Sequence, residues 1–185
     1  MNVRATISLP TTPDEFLRWN EDREGKREFV EGRVVEMMNH VSLAHALLAS
    51  RLLVSIMQKV DNTEFVAGSA DFAMKTSRGI RFPDVFLMRT PESLKTFSTN
   101  EPLLIAEILS PSTMAVDFGA KALEYQAFDS LRHYLILAQN ERRLWLWSRQ
   151  DDGTWNEPII HEDGDVELTG LGISLNLPAL YAGIA

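Results

Sequence analysis

Two short apolar runs, each with one carboxylate inside it, are the most informative part of the hydrophobic pattern along the chain. The first covers residues 82–88 and contains Asp84, and the second covers residues 103–109 and contains Glu107. Continuous apolar runs of this length are typical of strands that are covered on both faces. An ionised carboxylate is costly there unless a metal, a cation or hydrogen-bond donors pair with it. We therefore interpret the two acids as parts of one site.

Four elements are predicted before the first of these strands. A Thr-Pro pair followed by acids indicates a short helix over residues 12–19, and Glu31-Gly32 predicts the turn of a hairpin over residues 28–37. Apolar positions at helical spacing predict a long helix over residues 41–59, with Ser42 as its cap. Residues 64–76 are typical of one or two strands.

The second carboxylate strand begins a strand–helix–strand crossover. Ser110-Pro111-Ser112 is expected to end that strand, a helix is predicted from about residue 117 to 129, and a strand follows at 133–137. A strand at 143–147 is apolar on both faces, and residues 154–160 are expected to pair back with it. The tail is expected to add short strands over 168–177 and a final helical turn.

The facing of these elements brings a lysine toward the acids. The two-residue period of a strand puts Asp84 on the side of Phe86, and Glu107 on the side of Ile105. On the following helix, Lys121 lies beside the apolar stripe, so its stem can follow the core and its ammonium can reach the strand ends.

Two carboxylates and a lysine form a coherent set for phosphodiester hydrolysis. Asp84 and Glu107 offer hard oxygen ligands for one or two Mg²⁺ ions, and Lys121 can stabilise charge on the transition state. Each residue also has a structural interpretation. Asp84 could cap a turn after Pro83, Glu107 could form a buried ion pair with an arginine, and Lys121 could be a surface lysine.

Composition narrows the classes of function. The 185 residues predict one domain, 1–185, with 45% hydrophobic and 24% charged residues. The absence of cysteine excludes disulfides, thiol catalysis and thiolate metal sites. A net charge of −8 argues against a surface that grips nucleic acid indiscriminately, although not against a metal-dependent phosphodiester site. We find no apolar run of about 20 residues and no signal peptide, and we expect no membrane partner and a cytoplasmic location.

Several stretches taken together carry a family resemblance. They are Glu28-Phe29-Val30-Glu31-Gly32, His45, Arg81-Phe82-Pro83-Asp84, Glu107-Ile108-Leu109-Ser110-Pro111-Ser112, and Asp117, Lys121 and Tyr125. Over residues 12–147 the chain resembles the Uma-type family of restriction endonucleases, within the PD-(D/E)xK nuclease superfamily. The resemblance implies an α/β (α+β) fold with a restriction-endonuclease-like core, in which a mixed central sheet is flanked by helices. To this core we expect an added N-terminal hairpin and added C-terminal strands.

The resemblance also implies roles for particular residues. Asp84 and Glu107 would be metal ligands for Mg²⁺, with Mn²⁺ as a substitute. The superfamily lysine usually lies two residues after the acid, where this chain has Leu109, whereas the Uma-type pattern places it on the next helix, where Lys121 matches. Further candidates are Glu31 as an auxiliary metal ligand, with Glu28 as the other acid of the hairpin, and His45, Ser110, Tyr125 and Gln126 as supporting residues.

The leading hypothesis is a Mg²⁺-dependent endonuclease that acts on DNA. A second hypothesis is a catalytically inactive nuclease fold that serves as a dimeric binding or interaction module, and a third is a metal-dependent hydrolase of a small phosphorylated substrate. The two-faced apolar strand at 144–147, with Trp145 and Trp147, leads us to predict either core packing or a homodimer surface.

Overall fold

Three sheets organise the chain. The computed structural model of the protein describes residues 9–37, 40–110 and 114–185. Within these residues the strands form a six-stranded, a five-stranded and a two-stranded sheet. In chain order the strands are β1 (Arg27–Val30), β2 (Arg33–Glu36), β3 (Phe65–Ser69), β4 (Ala73–Thr76), β5 (Gly79–Arg81), β6 (Val85–Arg89), β7 (Ser98–Thr99), β8 (Pro102–Leu109), β9 (His133–Ala138), β10 (Leu144–Ser148), β11 (Ile159–His161), β12 (Asp165–Leu168) and β13 (Ile173–Asn176).

The helices are α1 (Pro13–Asn20), α2 (Leu43–Met57), α3 (Met114–Val116), α4 (Ala122–Gln126) and α5 (Leu177–Leu180). A π-helical turn, Asp117–Lys121, joins α3 to α4 without a break. The predicted helix at 117–129 therefore begins three residues earlier and ends three residues sooner than expected. No helix among the described residues is long and apolar enough to cross a bilayer.

The central six-stranded sheet has the order β11-β10-β9-β8-β6-β3. Strands β8 and β9 run parallel, and the other pairs are antiparallel. The predicted mixed sheet is thus confirmed, with α3, the π-helical turn and α4 forming the crossover between β8 and β9. The predicted end of β8 lies partly outside the described residues, because Pro111 and Ser112 are not among them.

The two faces of the central sheet have separate cores. On one face α2 packs through Leu48, Leu52 and Ile56 and shares a cluster with the C-terminal hairpin β12–β13 and α5. On the other face Tyr125 and Ala122 of α4 pack among residues from β6, β8, β9 and β10. Strand β8 alternates between the two, as the two-residue period requires.

The five-stranded sheet has the order β2-β1-β5-β4-β7 and also carries different side chains on its two faces. Phe29 and Ile80 pack with Phe16 of α1 on one side. Glu28 and Arg81, one position away from them, are buried on the other side. This alternation sends a charged pair toward the central sheet.

Local signals explain why the N-terminal elements were predictable. Thr12 Oγ1 accepts a hydrogen bond from Glu15 N at 3.2 Å, and Ser42 Oγ accepts one from His45 N at 3.1 Å, so both helix caps are confirmed. Glu31 (φ 49°) and Gly32 (φ 78°) both have positive φ, which is the backbone of a two-residue hairpin turn.

One detail differs from prediction, and a second supports one of two predicted alternatives. Asp84 was expected near the centre of a strand, but it lies one residue before β6, because Pro83 cannot donate to a sheet ladder. The apolar strand β10 is covered within the chain, since Phe118 meets Trp145 at 5.0 Å and Trp147 at 5.8 Å between ring centroids. These contacts support the packing interpretation, and the homodimer stays a prediction.

Candidate active site

Asp84 and Glu107 lie next to each other on adjacent antiparallel strands. Val85 of β6 pairs with Ala106 of β8, so the residues flanking that pair, Asp84 and Glu107, are brought side by side. Glu107 lies between Ile105 and Leu109 on the face that packs against α4. The strand register thus brings the two acids together, as the facing argument predicted.

Asp84 is fixed from two directions. Its Oδ2 accepts a hydrogen bond from Ile108 N at 2.7 Å and lies 3.1 Å from His45 Nε2. His45 comes from the first turn of α2, which packs on the opposite face of the sheet, so this contact ties both faces to the site. The Asp84 side chain keeps 17% exposure, which makes it the acid that solvent or a substrate can reach.

Glu107 is almost fully buried and is held through one oxygen. Its Oε1 accepts hydrogen bonds from Lys121 Nζ at 3.0 Å and from Tyr125 Oη at 2.8 Å. Burial raises the pKa of Glu107 to about 8, with help from the negative charges of Asp84, Asp117 and Glu28, although Lys121 opposes the rise. Burial also raises the pKa of Tyr125 well above its ordinary value, so the phenol stays protonated and donates.

Lys121 is surrounded by carboxylates. Its Nζ lies 3.0 Å from Glu107 Oε1, 3.2 Å from Asp117 Oδ1 and 3.8 Å from Glu28 Oε1. Burial alone lowers the pKa of Lys121, but these three negative charges outweigh it and raise the pKa above its ordinary value. The ammonium therefore stays charged, which favours electrostatic stabilisation over a role as general base.

The π-helical turn explains how a helix lysine reaches a strand acid. Asp117 and Lys121 are the first and last residues of this turn, and both are buried. Tyr134 of β9 donates a hydrogen bond from its hydroxyl to the Asp117 carbonyl at 3.0 Å. Isolated π-helical turns within helices are frequent at functional sites, and this one aims the Lys121 side chain at β8.

A buried triad behind Lys121 was not anticipated. Arg81 Nη1 lies 2.7 Å from Glu28 Oε2, and Arg81 donates from Nε to Glu124 Oε2 at 2.9 Å and from Nη2 to Glu124 Oε1 at 2.5 Å. Thr76 Oγ1 donates to the same Glu124 Oε2 at 3.1 Å. Glu28 and Arg81 belong to the stretches that carry the family resemblance, but nothing in the sequence indicated that Arg81 pairs with Glu28 and Glu124.

Of the remaining residues predicted for the site, some lie near the two acids and others lie away from the cleft. Ser110 lines the cleft beside the acids. Glu31 lies at the exposed hairpin turn and pairs with Arg78 at 3.2 Å, away from the cleft, whereas Glu28 lies within contact of Lys121. Gln126 does not line the cleft, and its backbone carbonyl accepts a hydrogen bond from Trp155 Nε1 at 3.1 Å.

One further cleft residue escaped the sequence analysis. Gln139, directly after β9, donates from Nε2 to the Leu109 carbonyl at 2.8 Å, and its Oε1 accepts from Ser42 Oγ. It therefore links the end of β8 to the capping residue of the helix that carries His45.

A cleft of about 1350 Å³ opens above these residues. Its floor contains Asp84, Glu107 and Lys121, and its walls come from the five-stranded sheet, α1 and the start of α2. Besides Arg81 of the triad, the cleft is lined by Arg18, Arg23, Lys26 and Arg27, and by the acids Asp14, Glu21, Glu36 and Asp71.

The donor set is compatible with Mg²⁺. Among the described residues no three His, Cys, Asp or Glu side chains form a ready cage. Mg²⁺ is nevertheless usually held by one or two carboxylates together with water and substrate phosphate, and Asp84 and Glu107 supply that number. Among the residues that the structure describes, the hydrogen bonds that position these acids fall on Asp84 Oδ2 and Glu107 Oε1 rather than on Oδ1 or Oε2.

Comparison with known proteins shows which folds and sequences the chain is similar to. A crystal structure of a protein from Anabaena variabilis, described as a "putative nuclease", superposes with a TM-score of 0.76 at 16% identity, over 95% of this chain and 100% of that one. Two Synechocystis proteins with the printed names "Uncharacterized protein slr1290" and "Uncharacterized protein sll1609" are 28% and 24% identical, each over 94% of this chain and over 93% and 100% of their own lengths.

The structural likeness supports the nuclease-like fold, and a family model adds a match that covers most of the chain. That model spans residues 13–178, from the first residue of α1 into α5. The matched region contains the two acids, the lysine and the triad. The chain therefore belongs to the Uma2 family, whose description is "Putative restriction endonuclease".

Proposed function

We propose that this protein is a Mg²⁺-dependent endonuclease that hydrolyses phosphodiester bonds of DNA. The observation that carries the proposal is the convergence of Asp84, Glu107 and Lys121 at the floor of one cleft. The family description and the nuclease-like fold support the same reaction class. If Glu107 were only part of a buried ion pair, Lys121 alone would balance its charge. This site has a second acid, Asp84, which is partly open to solvent.

Each residue has a role that follows from its contacts. Asp84 and Glu107 would hold Mg²⁺, which when bound supplies Lewis-acid polarisation of the scissile phosphate. Lys121 stays protonated and stabilises the charge that develops on the phosphate oxygens. Tyr125 and His45 orient the two acids, because each donates to or lies beside a single carboxylate oxygen.

Cleavage of circular DNA tests the reaction. We expect the protein to cut at least one of circular single-stranded and circular duplex DNA in Mg²⁺, and Glu107→Gln or Lys121→Met to lower the rate by about 10²-fold or more. The matched control is Glu162→Gln, the same chemical change at an exposed acid that pairs with Arg143. Unchanged cleavage by Glu107→Gln would refute the assignment.

Metal binding tests the ligands without relying on activity. In calorimetry with Mn²⁺ as the probe, we expect binding by the wild type and by Glu162→Gln, and loss of binding in Asp84→Asn. If the wild type bound no Mn²⁺ at millimolar concentration, the inactive interaction module would become the better account of the fold.

A further inference from the structure

The shape and lining of the cleft indicate which form of DNA it accepts. We propose that the cleft takes an unpaired strand of DNA, with Phe97 as a stacking platform for a base and the basic residues of the α1–β1 segment as phosphate contacts. This inference rests on the proposed function for the reaction, but it concerns the substrate that the walls can hold.

The five-stranded sheet forms one wall of the cleft, and its width across the strands sets the length of the cleft. Lining residues come from both edge strands of the five-stranded sheet or their flanks: Val35 and Glu36 on β2, and Phe97 and Ser98 at β7. Five strands at a spacing of about 4.8 Å give a wall about 19 Å long. At a rise of about 3.4 Å per nucleotide, such a wall could contact roughly five nucleotides of one strand.

The burial of the catalytic groups at the floor of the cleft favours an unpaired strand over a duplex there. The cleft has a volume of about 1350 Å³. A B-form duplex is roughly 16 Å across from the depths of its two grooves alone. Since the side chains of Glu107 and Lys121 are only 6% and 4% exposed, the scissile phosphate has to enter the cleft to reach them.

One end of the wall carries an exposed aromatic ring and the other end carries basic side chains, and an unpaired strand can use both. Phe97 is 68% exposed although it lines the cleft, and Phe82 lies between it and the basic end, two residues before Asp84. An exposed aromatic ring offers a surface on which any base can stack. The opposite end carries Arg18 and Lys26, which are exposed, and Arg23, whose guanidinium lies 4.1 Å from the Trp19 ring centroid.

The acids of the rim offset only part of the positive charge at the α1–β1 end. Asp14 pairs with Lys75 at 2.8 Å and Glu36 lies 3.7 Å from Arg27, which leaves Arg18, Arg23 and Lys26 against the two remaining wall acids, Glu21 and Asp71. A groove of local positive charge with an aromatic platform at its end is the usual design of single-strand binding surfaces. The overall charge of −8 then disfavours nucleic acid elsewhere on the surface.

Fluorescence anisotropy tests the inference with a labelled 12-nucleotide DNA strand and the duplex of the same sequence, in Ca²⁺ to suppress cleavage. We expect the single strand to bind at least about tenfold tighter than the duplex, and Phe97→Ala to weaken its binding by about tenfold. Phe97→Trp should retain binding. The control is Leu94→Ala, in the same loop and 77% exposed but not lining the cleft.

The inference and the proposed function can fail separately. Equal or tighter binding of the duplex, or equal effects of Phe97→Ala and Leu94→Ala, would overturn the inference. If circular duplex DNA is cleaved through Glu107 while circular single-stranded DNA is not, the endonuclease stands and the strand preference is wrong. If the single strand binds through Phe97 but no DNA is cleaved in Mg²⁺, the strand site stands and the catalytic proposal is wrong.

Discussion

The buried triad of Glu28, Arg81 and Glu124 allows a quantitative test of what holds the site together. In Arg81→Met the two acids lose a partner whose side chain is 5% exposed, while they themselves are only 4% and 1% exposed. Removal of one partner from a buried ion pair costs about 3–5 kcal/mol, because it leaves an uncompensated buried charge. We expect a loss of this size in the free energy of unfolding.

An exposed ion pair of nearly equal length provides the control. Lys75 Nζ lies 2.8 Å from Asp14 Oδ1, against 2.7 Å for Arg81 and Glu28, but its side chains are 42% and 63% exposed. Exposed pairs contribute little because water screens them. Lys75→Met should therefore leave the urea midpoint nearly unchanged, so a difference between the two variants isolates the effect of burial.

The assay is urea unfolding followed by the fluorescence of the four tryptophans. The double variant Arg81→Met/Glu124→Met should lose clearly less than the sum of the two single variants, because it removes one of the two stranded acids. A loss in Arg81→Met as small as in Lys75→Met would refute the reasoning, and so would strict additivity in the double variant.

Two further predictions concern stability. Burial lowers the pKa of His133 below its ordinary 6.5, so as pH falls through that value the unfolded chain takes up a proton that folded His133 does not. The free energy of unfolding should then decrease between about pH 7 and about pH 5.5, and less so in His133→Gln; equal decreases would contradict this. In Gly79→Ala the new Cβ would lie 1.8 Å from the Phe29 carbonyl oxygen at φ +149°, so we expect a loss of at least about 1–3 kcal/mol by thermal or urea unfolding. Gly153→Ala, at φ +84° with open space around it, should lose less, and equal losses would show that the contact between β1 and β5 is not tight.

The parts of the fold that could be predicted were those fixed by local signals. Thr12 and Ser42 cap their helices, and Glu31-Gly32 makes the hairpin turn, because each of these depends on the residue itself and its immediate neighbours. The side of β8 on which Glu107 lies also followed from the two-residue period. The division of the strands into separate sheets did not, because it depends on pairings between distant segments.

For the candidate site, too, residues with a local signal in the sequence could be predicted and partners from distant segments could not. Asp84, Glu107 and Lys121 were found because each breaks an apolar pattern. Glu28 was named only as the other acid of the hairpin, since nothing near it in sequence shows its partner Arg81, which lies 53 residues away. Choosing between Glu28 and Glu31 requires the facing of β1, and that is set by the packing of Phe29 on α1.

The charge balance connects the structure of the site to its chemistry. The site and the triad behind it contain four buried carboxylic acids and two buried Lys or Arg side chains: Glu28, Glu107, Asp117, Glu124, Lys121 and Arg81. Asp84 adds a fifth acid at the surface of the cleft. Burial is the main cause of the raised pKa of Glu107, and this excess of negative charge adds to it. A divalent cation between the acids would offset the excess while leaving Lys121 charged. Arg81 does not offset the negative charge of the acid pair, because its guanidinium already pairs with two other carboxylates, those of Glu28 and Glu124, on the far side of Lys121. The site thus combines a lysine fixed in its charged form with an acid pair that remains short of positive charge, and the proposal of metal-assisted phosphodiester hydrolysis rests on this arrangement.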